Sequence, residues 1–186
     1  WWGHHRYVPR VDPLSNVKAV DDILLVAETG LPIRPQQLHP FPCGDSIDGG
    51  HDAAWCAAAL AEELASVGPS SPVGWPILDL VFLGVGGDGH LLSVFPGSAA
   101  FDADEWAMAI PAPTHIEPHV ERVTMHPAII GAARAVLVVV TGESKADVLA
   151  DILGPTHEPR RWPAQVARRG HATWILDREA AARLPR

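Results

Sequence analysis

Apolar residues recur along this chain with two periods, and the switches between them outline its elements. Val17, Val20, Ile23 and Leu24 fall three or four apart and predict a helix, after a loop punctuated by Pro9, Asp12 and Pro13. Asp12 or Ser15 can cap it, and Gly30 and Pro32 end it. Alanines, leucines and Glu62-Glu63 predict a second helix from about Asp52 to Val67, with Gly68-Pro69 as its stop. Between them, Pro32 to Gly50 is rich in Pro and Gly and reads as a long connection with one short strand. The run Ile77 to Val85 is mostly continuously apolar, the mark of a strand buried on both faces. Further strands are expected near Trp106–Ile110, Glu121–Met125, Ala135–Thr141 and Ala172–Leu176, and helices over Pro127–Ala133, Glu143–Leu153 and Asp177–Leu184. The opening Trp1-Trp2-Gly3 reads as an entry partway along a strand. Strands alternating with helices predict an α/β fold: one domain over residues 1–186, a mainly parallel open sheet, and helices on both faces.

Composition narrows the function classes. Of 186 residues 47% are hydrophobic and 19% charged, the balance of a globular chain rather than a disordered one. A formal charge of -8 argues against an extended basic surface for nucleic acid, yet leaves room for an anionic metabolite held by a few local cations. Cys43 and Cys56 are too far apart in sequence for a Cys-x-x-Cys motif and are expected as reduced thiols. The strongest apolar run, Ala135–Val140, is too short to span a bilayer, and no charged-then-apolar leader opens the chain, so a cytoplasmic location without membrane contact is expected.

The candidate chemistry lies in Gly84–His90, at the carboxyl end of the Ile77–Val85 strand, where open α/β sheets bind ligands. Its glycines permit tight turning and close approach of backbone N–H groups to an anion or oxyanion. Asp88 and His90 are the only side chains there that can exchange protons, and imidazole titrates near neutral pH. Gly84-x-Gly86-x-x-Gly89 matches a dinucleotide fingerprint literally, but Pro96 and Gly97 deny it the long helix such a site requires. On spacing alone the loop is a site or an ordinary strand-to-helix turn. The other histidines, His4-His5, His115-x-x-x-His119 and His126, offer imidazoles, but Pro113 and Pro118 bracket His115 and no His-Glu-x-x-His motif occurs. They are expected as solvated or loop residues, with no metal. Trp55, Trp106, Trp162 and Trp174 are expected as packing residues.

Gly84-Val85-Gly86-Gly87-Asp88-Gly89-His90-Leu91-Leu92-Ser93-Val94-Phe95-Pro96-Gly97 resembles the 6-phosphogluconolactonase segment Leu-Gly-x-Gly-x-Asp-Gly-His-x-x-Ser-x-Phe-Pro-Gly. Trp2-Gly3-His4-His5-Arg6-Tyr7-Val8-Pro9 followed by Ser15-Asn16, then Glu121–Thr124, Val140–Ala146 and Trp174–Ala181, are similar to further family segments in the same order. The resemblance implies the fold shared with amino-sugar-phosphate deaminases and ribose-5-phosphate isomerases. It implies hydrolysis of 6-phosphogluconolactone to 6-phosphogluconate, without a cofactor, on a small phosphorylated sugar lactone. Under it His90 is the general base, Asp88 orients the imidazole, and Gly87 and Gly89 offer N–H groups. Arg6, Arg122 and Lys145 are the phosphate candidates. Lactones are activated esters, so a base-assisted water suffices without a metal. Two other readings stand beside it: a glucosamine-6-phosphate deaminase/isomerase-like enzyme, and a non-catalytic sugar-phosphate-binding paralogue. Deaminases resemble Asp-Gly-His-x-x-x-x-Glu in this loop, where this chain has Phe95. The chain departs from the family pattern at His4-His5, usually Asp-Glu, and at His115, often lysine. No stretch resembles the family's early Gly-Gly-Ser-Thr-Pro-like loop, so the chain is expected to correspond to the larger C-terminal part of the pattern.

Overall fold

A computed structural model describes residues 1–26, 30–68 and 70–185. In chain order the elements are β1 (His4–Arg6), α1 (Asn16–Leu24), α2 (Cys43–Asp48), α3 (Ala53–Val67), β2 (Leu80–Leu83), β3 (Ala107–Ile110), β4 (Arg122–Met125), α4 (Ala128–Ala132), β5 (Ala135–Val140), α5 (Ala146–Leu153) and β6 (Ala172–Leu176). They divide into two units, residues 1–66 with 107–125, and residues 67–106 with 126–186. Among the described residues no helix is long and apolar enough to cross a membrane.

The first unit is built on an antiparallel sheet in the order β1-β4-β3. Its register sets His5 opposite Val123 and Arg6 opposite Arg122, and every residue of β4 is buried. Helix α1 starts at Ser15, whose extended backbone turns its hydroxyl to accept from the Lys18 N–H at 3.2 Å. In α3 the buried Ala53, Cys56, Ala57, Leu60 and Leu64 form one stripe at helical spacing, and Asp52 caps it through the Trp55 N–H at 2.9 Å. Pro69, expected in the stop of this helix, lies outside the described residues. The proline-rich stretch before α3 holds a 3₁₀ turn at Pro35–Gln37 and the short helix α2 instead of the expected strand.

The second unit carries the parallel sheet expected of an α/β chain, in the order β2-β5-β6. Because side chains alternate across a strand, Val136, Val138 and Val140 point to one face with Leu83, and Ile130, Leu149, Ile152, Ala164 and Ala167 pack into the same cluster. The opposite face carries Leu80, Phe82, Val139 and Ile175. The Ile77–Val85 run was expected to be buried on both sides, but β2 is an edge strand with Leu80 49% and Phe82 67% exposed. The expected helix over Asp177–Leu184 is a series of turns. The Asp177 carboxylate accepts the N–H groups of Gly142 and Ala180, at 2.8 and 2.7 Å, and ties the start of these turns to the loop after β5.

Candidate active site

β2 and β5 are parallel neighbours, with Leu83 paired to Val138, so the loops that follow them leave the same end of the sheet. One is Gly84–His90; the other begins at Gly142 and brings Lys145 to the start of α5. Both therefore lie where the strands' carboxyl ends place ligand-binding loops.

The Gly84–His90 loop closes on itself. The Gly86 N–H donates to the carbonyl of His90 at 2.8 Å, and the Gly89 N–H donates to that of Gly86 at 3.0 Å. Gly89 has φ +82°, a conformation open to glycine at little cost. The fold thereby turns the His90 ring back over Gly86, so closely that a Cβ on Gly86 would lie 2.0 Å from Nδ1. Phe95 packs on the ring with centroids 4.7 Å apart at 51°. Leu92, two residues beyond His90, is held at φ 54°, a strained conformation for a residue with a side chain.

Asp88 fixes the imidazole. Its Oδ1 lies 2.5 Å from Nδ1 of His90 and also accepts the His90 backbone N–H at 3.1 Å. A carboxylate at Nδ1 keeps the proton on that nitrogen, so Nε2 carries the lone pair. Both side chains are partly exposed. The arrangement is a base whose tautomer is set by an acid, in reach of solvent. Of the two glycines expected to face substrate, Gly89 spends its N–H inside the loop, whereas that of Gly87 has no partner there.

In the first unit, Arg6 and Arg122 stand directly opposite each other on β1 and β4. Arg6 Nη1 donates to the Leu14 carbonyl at 2.9 Å and Arg122 Nη2 to the Pro118 carbonyl at 3.0 Å. Arg122 is only 5% exposed; burial, and then the Arg6 guanidinium, push its pKa below the usual arginine range. Two adjacent guanidinium groups, one buried, raise a local positive potential that an anion would relieve.

Of the histidines expected as solvated or loop residues, His5 is buried on β1 and His126 is buried in the loop after β4. His5 is 1% exposed, and its Nε2 lies 3.2 Å from the hydroxyl of Ser15, the cap of α1. Burial, and then Arg6 and Arg10, lower its pKa against the opposing hydrogen bond to the Arg6 carbonyl. His126 stacks on Trp75 at 4.3 Å and accepts the Ala128 N–H at Nδ1. Sequence periodicity missed both because their partners are remote or local polar groups. Among the described residues, no three His, Cys, Asp or Glu side chains are gathered as a metal site.

Comparison with known proteins bears on the family and the fold. The family model described as glucosamine-6-phosphate isomerases/6-phosphogluconolactonase matches residues 1–176. A 6-phosphogluconolactonase of Mycobacterium tuberculosis is 36% identical over 189 residues, which span all of this chain and 72% of that protein. One of Streptomyces coelicolor is 33% identical over 191 residues, spanning all of this chain and 70% of its own. The solved 6-phosphogluconolactonase of Trypanosoma brucei superposes with a TM-score of 0.82 at 32% identity, over 98% of this chain and 73% of that one. A monomeric glucosamine-6-phosphate deaminase shares the fold, with a TM-score of 0.73 at 18% identity over 97% and 72% of the two chains. With a family model spanning nearly the whole chain and relatives above 30% identity along its full length, the chain belongs to the glucosamine-6-phosphate isomerase/6-phosphogluconolactonase family.

Proposed function

We propose that this protein is a carboxylic-ester hydrolase that opens 6-phospho-D-glucono-1,5-lactone to 6-phosphogluconate, a cytoplasmic step of the oxidative pentose phosphate pathway. The observation that carries the reading is the Asp88–His90 pair, 2.5 Å apart at the carboxyl end of β2. With Nδ1 protonated against Asp88, Nε2 of His90 takes a proton from water as the water oxygen adds to the lactone carbonyl. The resulting oxyanion needs donors, and the Gly87 N–H is assigned as one; such a donor contributes about 2.7–4 kcal/mol in well-studied cases. Collapse of the tetrahedral species breaks the bond to the ring oxygen, which recovers the proton from the imidazolium. The Asp88 carboxylate stabilises that imidazolium while it lasts. Arg6, Arg122 and Lys145 are assigned to the substrate phosphate on charge and on the family segments they match.

The test is His90→Asn. This substitution keeps a polar side chain of similar reach but removes the base, and kcat should fall by about 10²–10⁴-fold with binding retained. Lactones hydrolyse unaided, so that background is subtracted. A wild-type kcat in a folded His90→Asn protein would reject the mechanism.

A further inference from the structure

Gly89 separates the two members of the Asp88–His90 pair, so whatever fixes its peptide fixes the spacing of both. The structure assigns that task to a remote segment of the same unit, and we infer that Trp162 and Gln165 are positioning residues for the His90 base. The inference rests on the hydrolytic reading of His90.

The segment holds the chain at two points, one before and one after His90. The Ala164 N–H donates to the Gly89 carbonyl at 2.9 Å, and the Gly97 N–H donates to the Arg160 carbonyl at 2.7 Å. Between these points the Trp162 indole lies against the bare Cα of Gly89, where an added Cβ would be 2.8 Å from Cε3. The indole thus closes the side of Gly89 away from solvent, and the carbonyl bond fixes the peptide's rotation. Neither contact touches the imidazole itself.

Gln165 anchors the segment. It is buried, and its Nε2 lies 3.1–3.3 Å from the carbonyl oxygens of Asp151, Ile152 and Thr156. Its Oε1 accepts the Glu158 N–H at 2.5 Å, and the Glu158 carbonyl in turn accepts the Trp162 N–H at 2.8 Å. One side-chain amide therefore joins the carboxyl end of α5 to the turn that presents Trp162. The Arg161 guanidinium, 5.2 Å above the indole, covers its outer side.

Trp162→Ala, Trp162→Phe and Gln165→Glu in the full chain test this. Opening space behind Gly89 should lower kcat by about 10–100-fold per folded molecule and leave KM within about threefold, because the base is misplaced while the phosphate contacts are untouched. Phe, which refills the space, should recover kcat to within about threefold of wild type. Gln165→Glu sets a carboxylate against three carbonyl oxygens and should lower kcat in the same direction. Nitrogen-15 NMR of the His90 ring supplies a readout without turnover: wild type should show a single Nδ1–H tautomer, and Trp162→Ala should lose it. Should wild type hydrolyse no lactone, the functional reading fails, and the ring resonances still decide the positioning. Folded Trp162→Ala with unchanged His90 resonances overturns the inference, as does an unchanged kcat per folded molecule in an active enzyme.

Discussion

Gly86→Ala tests the site through its tightest contact. The added Cβ would lie 2.0, 2.2 and 2.7 Å from Nδ1, Cε1 and Cγ of His90, whereas ordinary contact begins at 3.4 Å. The imidazole must therefore retreat by about 1.4 Å, and the atom most affected is the one that Asp88 holds at 2.5 Å. A misplacement of about 1 Å costs on the order of 10²-fold in rate, so kcat should fall by about that factor, close to 3 kcal/mol of barrier. Gly86 does not have a positive φ, so alanine adds no backbone strain, and it keeps its N–H. Gly84→Ala is the control: a Cβ there meets nothing within 4 Å, and kcat should stay within about twofold. Both variants are assayed for lactone hydrolysis with the spontaneous rate subtracted, and circular dichroism verifies folding. A folded Gly86→Ala enzyme with the wild-type kcat would refute the placement of the base over this glycine.

Arg122→Ala and Lys145→Ala should each raise KM for the phosphorylated lactone by about 10–150-fold, the loss of a charge-assisted contact worth about 1.5–3 kcal/mol. They should leave the unphosphorylated lactone unaffected; equal effects on both substrates would remove these residues from the phosphate site. Glucosamine 6-phosphate should yield no ammonia above background in an enzyme-coupled assay, and release of ammonia would reverse the assignment of the reaction. His5 has a folded pKa depressed below its ordinary 6.5, so the unfolded chain binds the extra proton more readily. Stability from the neutral ring is thus complete above about pH 6.5 and is lost as pH falls toward the folded pKa, with a slope of at most about 1.4 kcal/mol per pH unit per histidine. Urea unfolding between pH 5 and 8 should show this slope, His5→Gln should reduce it, and an unchanged slope would exclude His5 as its source.

How much of this was legible in the sequence follows from the range of the forces involved. The Ser15 cap of α1, the stripe of α3, and the strands β5 and β6 rest on local signals, and they stand where the sequence puts them, whereas Ile23 and Leu24 of the expected α1 stripe are exposed. Asp88 and His90 were legible by residue type, since two residues apart in a glycine turn they have little choice but to meet. The pairing of β1 with β4 was not legible, because it joins residues more than a hundred positions apart and only three per strand. α2 is six residues long, too short to show a period, and follows Pro42. Over 178–183 the chain forms turns instead of the expected helix, although Asp177 still accepts the Ala180 N–H as a cap would. The burial of His5, which follows from the pairing of β1 with β4, and the seating of Trp162 on Gly89 likewise depend on partners that no local window contains.

The family fold hosts both deamination and lactone hydrolysis, so the choice between them falls to the loop rather than the scaffold. Deaminases resemble Asp-Gly-His-x-x-x-x-Glu there, a pattern with a further carboxylate beside the histidine. In this chain that position is Phe95, buried and tilted onto the His90 ring, and no carboxylate occurs between Asp88 and Asp102. The aromatic ring cannot exchange a proton; it narrows the ring's freedom and shields one side from water. Under the proposed mechanism the loop retains a single proton shuttle, His90, with its tautomer set by Asp88. Ester hydrolysis asks for no more than that, since the proton taken from water is the one returned to the leaving oxygen. Deamination with isomerisation moves protons at more than one atom of the sugar, and a lone shuttle backed by Asp88 cannot reach them all. The replacement of one carboxylate by a phenyl ring is therefore the local change that fits this loop to the lactone.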